Sequence, residues 1–198
     1  MNLRKLSLNQ SIPQIFEGLV LTDEEVILIE SRLDRVFAKK GERLVEISNN
    51  VDCQYFIISG CLRSFYVDKN GKEHTAQFGI YDWWISDYTA FFSQEKAIMN
   101  VEVIKDADLL KISIEDLNYL YKAIPKIETF FRKRAEWSCT TMQKRILSYL
   151  SLNASERYLS FLNDYPEVEQ NVKNYHIASY LGITTESLSR IRKELSRA

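Results

Sequence analysis

Between Val36 and Ser113 the apolar residues arrive in short β-branched or aromatic runs, each ended by a polar or glycine-bearing turn. The runs cover 36–38, 44–47, 55–58, 62–67, 74–78, 83–85, 100–104 and 108–112, and Asn70-Gly71 stands between two of them as a hairpin signal. Seven or eight short strands at regular spacing predict an antiparallel roll or sandwich. Helical spacing brackets this region. Residues 1–35 read as helical, with Thr22-Asp23-Glu24-Glu25 a capped start, and Ser113-Ile114-Glu115-Asp116 begins another helix that runs to Ala123.

Pro125 suits the first turn of a long helix through about Leu150. Along it Ile127, Arg134 and Thr141 recur every seven residues, as do Phe130 and Trp137. That repeat fits a helix pairing with its own copy in a dimer, and equally a helix packed on the β domain. Ser155–Tyr165 is a further helix closed by Pro166, and residues 166–172 read as a polar connection.

The last stretch carries a helix–turn–helix pattern. Ile177 and Leu181 share one face of a short helix, Ala178 is small enough for a close crossing, Gly182 can take a positive φ, and Thr184 can cap the second helix. On that second helix Leu188, Ile191 and Leu195 fall on one side, while Glu186, Arg190, Lys193 and Arg197 fall on the other. A narrow dry face opposite a cationic wet one suits insertion into a DNA major groove. A helical hairpin that merely caps a domain would show the same amphipathicity. The chain therefore reads as α+β, with a β-roll domain over 1–124, a long helix over 125–150 and a helix–turn–helix domain over 151–198.

Charge sharpens the C-terminal reading. The chain has a net charge of −1, but residues 171–198 hold Lys173, Arg190, Arg192, Lys193 and Arg197 against only Glu186 and Glu194. A basic end on an acidic body confines phosphate attraction to that end. No apolar run approaches a membrane span and no signal-like stretch comes after the polar start, so a cytoplasmic protein is expected. Cys53, Cys61 and Cys139 lack metal-ligand spacing and read as buried reduced thiols. His74 and His176 are the only histidines, too few for a cupin-type metal centre, and no catalytic triad, phosphate loop or nucleophile elbow is present, so no enzyme and no metal or cofactor are expected.

The order of helical lead-in, roll, long helix and helix–turn–helix resembles the Crp/Fnr family of bacterial transcription regulators. The residues carrying the likeness are Tyr55-Phe56-Ile57-Ile58-Ser59-Gly60-Cys61-Leu62-Arg63, Pro125-Lys126-Ile127, and Ile177–Thr184 with Glu186 and Arg190. The resemblance implies a cyclic nucleotide-binding-like double-stranded β-helix, or jelly roll, a dimerisation helix bearing Ile127, Phe130, Arg134, Trp137 and Thr141, and a homodimer on palindromic double-stranded DNA. It implies base contacts by Glu186 and Arg190, with Thr185 standing where the family often has Arg. Arg190 suits guanine O6 and N7, and Glu186 suits cytosine N4. Lys173, His176, Arg192, Lys193 and Arg197 are expected at phosphates, Thr184 and Ser187 near the helix N-terminus can also meet one, and Thr185 and Ser189 complete the interface. RNA polymerase is a further candidate partner of such a regulator.

The effector region departs from the family. Where nucleotide-binding members carry Gly-Glu and later Arg-Ser or Arg-Thr, this chain has Ser86-Asp87 and Ala97-Ile98. A phosphate diester buried without a cation is poorly solvated, so cyclic AMP is not expected as effector; Lys96, one residue away, is the only nearby substitute. Phe78, Tyr81, Trp83, Trp84, Tyr88, Phe91 and Phe92 surround the segment. They either fill the roll or line a pocket for an apolar or aromatic molecule of unknown identity. The competing function is a small-molecule-sensing roll that signals through protein contacts without DNA.

Overall fold

The computed structural model describes residues 8–196, so the first seven residues of the predicted N-terminal helix, and Arg197, lie outside the described residues. Two short helices open the chain: α1 (Leu8–Ile15) and α2 (Asp23–Glu30). Thr22 and Glu25 form the reciprocal capping pair that the sequence predicts, with Thr22 N–H donating to Glu25 at 2.8 Å and Glu25 N–H to Thr22 Oγ1 at 3.3 Å. The helical lead-in ends earlier than expected, because β1 (Asp34–Ala38) already pairs in the sheet.

The remaining strands are β2 (Arg43–Val45), β3 (Cys53–Val67), β4 (Glu73–Gly79), β5 (Trp84–Ile85), then α3 (Tyr88–Ser93) and β6 (Asn100–Ser113). Eight predicted runs become six strands because two predicted breaks, at Ser59-Gly60 and near Asp106, are crossed by continuous strands. Each long strand has three neighbours. The early part of β6 pairs with β2 (Val45↔Val101) and the later part with β1 (Ala38↔Ala107 to Asp34↔Lys111). The early part of β3 pairs with β5 (Tyr55↔Ile85, Phe56↔Trp84), and β3 also has β4 and β6 as neighbours in the order β1-β6-β3-β4.

Gly60 sits where these long strands pass each other, with φ +107. A Cβ there would lie 2.6 Å from Ala107 Cα and 2.7 Å from Asp106 O, so only glycine lets the two backbones approach.

α4 (Ile114–Ala123), capped by Ser113, and the start of α5 (Pro125–Ser151) close this unit. Leu117, Leu120, Ile127 and Phe130 join Phe56, Leu62, Val101, Val103, Leu109 and Ile112 in one core. Each such side chain contributes roughly 1.5–3 kcal/mol when fully buried. Two of the arginines that enter it are ion-paired: Arg63 with Glu102 at 2.7 Å and Arg35 with Asp108 at 2.7 Å.

The compact units do not run along the chain in order. One comprises residues up to 64 with 79–136, the other residues 65–78 with 137 onward, so the β3–β4 hairpin belongs with the C-terminal helices. Its turn is held by Asp68 Oδ1, which accepts from Asn70 N–H at 2.9 Å and Lys72 N–H at 3.0 Å, while Gly71 takes φ +78. The helices of this unit are α6 (Ala154–Asp164), α7 (Pro166–Asn171), α8 (Asn174–Leu181) and α9 (Thr185–Leu195). Pro166 starts α7 at its first turn, where a missing N–H costs nothing, in place of the predicted polar connection.

Gly60→Ala is expected to lower stability by more than about 2 kcal/mol, since backbone strain and a clash add. Gly41→Ala, at φ +90 with nothing within 4 Å of the added Cβ, should lose less. Urea midpoints of the two variants check the difference.

Candidate functional site

α8 and α9 are built from local signals. Gly182 ends α8 in the left-handed region at φ +69, and Thr184 caps α9 by accepting Ser187 N–H at 3.2 Å. Ile177, Ala178 and Leu181 of α8 and Leu188 and Ile191 of α9 are buried, whereas Leu195 at the helix end is partly exposed. The opposite side of α9 presents Glu186, Ser189, Arg190 and Lys193 to solvent. Its own backbone N–H and then the Thr184 and Thr185 hydroxyls hold the Glu186 carboxyl below its ordinary value, so it is an acceptor at neutral pH. Lys173 is exposed, its ammonium 5.8 Å from the Tyr175 ring centroid.

Two expected phosphate contacts are corrected. Arg192 is turned inward: Nε donates to Tyr158 Oη at 3.0 Å, Nη1 to Asn174 Oδ1 at 2.7 Å, and Nη2 lies 2.9 Å from Glu169. It ties α9 to α6, α7 and α8, so its guanidinium is engaged within its own unit. His176 is only 4% exposed, its ring against Tyr175. A helical wheel puts a residue on a side of its helix but does not say which neighbours reach that side.

The hairpin packs on the same unit. Thr75 N–H donates to Ser179 Oγ at 2.9 Å, and that hydroxyl donates to Glu73 O at 2.8 Å. Arg145 Nη2 donates to Thr75 O at 3.2 Å, its guanidinium lies over the Tyr180 ring at 4.0 Å, and Tyr149 donates its hydroxyl to Tyr180 O. Phe78 is fully buried among Phe161, Tyr165 and Tyr180. It is therefore corrected from the effector region to the core beneath the helix–turn–helix.

The first part of the predicted seam on α5 is also corrected. Ile127 and Phe130 are buried in their own domain, and Arg134 donates to Asp82 O at 3.0 Å and Oδ1 at 2.8 Å. Thr141 Oγ1 donates to Trp137 O, and Trp137 is exposed. Another side of the helix carries an exposed apolar stripe, Cys139, Met142 (64% exposed), Ile146 (56%) and Leu150 (79%), at spacings of three, four and four. Cys53 and Cys61 are buried as expected, and burial pushes the Cys53 thiol up to about 12; Cys139 is the exception.

In the expected effector region, the cassette between β5 and β6, Ser86 is buried and donates to Cys53 O at 2.8 Å. Asp87 is 0% exposed, caps α3 by accepting Ala90 N–H at 3.3 Å, and accepts Ile98 N–H at 2.8 Å and Met99 N–H at 2.9 Å. Ala97 is buried, and Lys96 donates to Asn50 Oδ1 at 2.7 Å. Trp84 packs on Phe56 and Phe131, Tyr88 stacks on Phe92, and Trp83 is half-buried on the core.

Residues 35–123 match the cyclic nucleotide-binding domain family. The chain is 22% identical to the anaerobic regulatory protein of Haemophilus influenzae over 91% of this chain and 74% of that one. Its fold is shared by FixK2 of Bradyrhizobium japonicum (TM-score 0.73, 16% identity, 83% of this chain and 85% of that one). The c-di-GMP responsive global regulator CLP of Xanthomonas campestris is similar too (TM-score 0.72, 14% identity, 89% and 92%).

The chain is similar to regulators of the Crp/Fnr family over most of its length. Its relatives are bacterial transcription regulators, and no helix among the described residues is long and apolar enough to cross a membrane. Against the Crp/Fnr pattern, the functional residues missed in sequence are Arg192 as a clamp and Asp87 as an acceptor for residues 98 and 99. A capping role for Asp87 was readable, since it precedes α3; its distant partners were not.

Arg192→Ala should cost about 1–3 kcal/mol by stranding Glu169 and Asn174, whereas Lys193→Ala should stay within roughly 0.5 kcal/mol. Urea unfolding of both variants checks this.

Proposed function

We propose that this chain is a Crp/Fnr-type, sequence-specific DNA-binding regulator that works as a homodimer on a palindromic site. The observation that carries the reading is the solvent-facing Glu186, Ser189, Arg190 and Lys193 on a capped helix whose other side is anchored by Leu188, Ile191 and Arg192. Arg190, four residues after Glu186, makes a bidentate contact to guanine in this reading, worth roughly 1–3 kcal/mol of discrimination. Lys193 and Lys173 supply sequence-independent attraction. Two copies meet through Cys139, Met142, Ile146 and Leu150, an exposed apolar stripe at coiled-coil spacing. Pairing sets the distance between the two reading helices, as a two-fold half-site spacing demands.

Cyclic AMP is not the effector in this reading. A buried phosphate diester needs a cationic partner, and the position that would supply it is buried Ala97, with Lys96 directed to Asn50.

In gel shifts over a salt series, Arg190→Ala should abolish preference at one base pair of the half-site. Lys193→Ala should weaken all duplexes alike and reduce the salt slope by about one. A protein indifferent to duplex sequence at every ionic strength would leave a sensing module without DNA as the function. Cys139 reports on the dimer: mild oxidation with copper–phenanthroline should give a disulfide-linked dimer on non-reducing gels that Cys139→Ser abolishes. Monomer throughout would refute pairing along this stripe.

A further inference from the structure

The cassette between β5 and β6 contains a fully buried carboxylate that receives backbone N–H groups from two separate segments. Ala90 N–H belongs to α3, while Ile98 and Met99 N–H come from the return segment into β6, at 2.8 and 2.9 Å. Adjacent amides aimed at one point form the kind of donor set that holds an anion. Here the anion is part of the chain. The outer side of the same segment is fastened as well: Ala97 N–H donates to Asn49 O at 2.9 Å, Ser48 N–H to Ala97 O at 2.9 Å, and Lys96 to Asn50. With Ala97 buried and Lys96 engaged, the segment offers an incoming phosphate neither a cation nor open amides.

We propose that Asp87 is the built-in anion of this cassette, closing residues 98 and 99 onto α3 so that the roll reaches its ordered state without an external phosphate. The inference rests on the reading that cyclic AMP does not control the chain and supplies its mechanism: the donors a nucleotide phosphate would need are already filled by a carboxylate that never dissociates. Tethering makes the interaction intramolecular, so no effector concentration sets its occupancy. The cassette thereby becomes a fixed part of the roll.

Residue-resolved amide hydrogen exchange on the full-length protein tests this. In the wild type, Ile98 and Met99 should exchange slowly with no ligand present, and millimolar cyclic AMP or inorganic phosphate should leave their rates unchanged. Asp87→Ala should speed exchange at both positions by at least ~10-fold, relative to Val103 in the same sheet. Should Asp87→Ala fail to fold, Asp87→Asn, which keeps the helix cap and the shape but not the charge, should show a smaller increase at the same two amides. Unchanged exchange at Ile98 and Met99 in the variant that folds would overturn the built-in anion. If cyclic AMP bound the wild type and slowed or displaced those amides, both this proposal and the cyclic-AMP-independent reading would fall. Cyclic AMP binding that left those rates unchanged would overturn only the latter. No readout uses DNA, so a failure of duplex binding is separable from a failure here.

Discussion

The roll depends on two long strands changing partners at one place. β3 and β6 each pair with one strand early and another late, and they can pass closely only because Gly60, at φ +107, presents no Cβ to Ala107. A side chain there would force the two backbones apart. The core beneath, from Phe56 and Leu62 to Leu120 and Phe130, is continuous because the strands are.

Within each unit several polar side chains hold elements together through partners distant in the chain. Arg63 meets Glu102, Asp87 meets the amides of residues 98 and 99, and Arg192 gathers Tyr158, Asn174 and Glu169. Low-dielectric surroundings strengthen such hydrogen bonds and make a missing partner costly, so each group specifies one arrangement. In the C-terminal unit this logic fixes the rotation of α9 about its axis. Arg192 faces inward, which leaves Glu186 and Arg190 outward; the cationic residue spent on structure is what aims the others.

The hairpin extends the same unit. Ser179 uses one hydroxyl both to accept from Thr75 and to donate to Glu73, and Phe78 inserts its ring among Phe161, Tyr165 and Tyr180. Backbone polar groups of β4 are thus satisfied by α8, so the hairpin and the C-terminal helices form one packed body.

What the residues determined by themselves were the features that depend on near neighbours. The Thr22–Glu25 capping pair, the turn at Asn70-Gly71, the cap at Thr184 and the left-handed Gly182 are set by backbone groups a few residues apart, and they were legible in sequence. So were the strand-rich middle and the amphipathic α9, because period derives from local geometry. Tertiary structure alone decided which neighbour each surface met. A heptad repeat on α5 marked Ile127 and Phe130, yet those faced their own domain and a different stripe lay open. Phe78, Arg192 and Asp87 likewise found partners tens of residues away or in another segment. Apolar faces and charged side chains accept many partners of the right size or sign, and only the folded chain, by bringing distant segments together, selects among them.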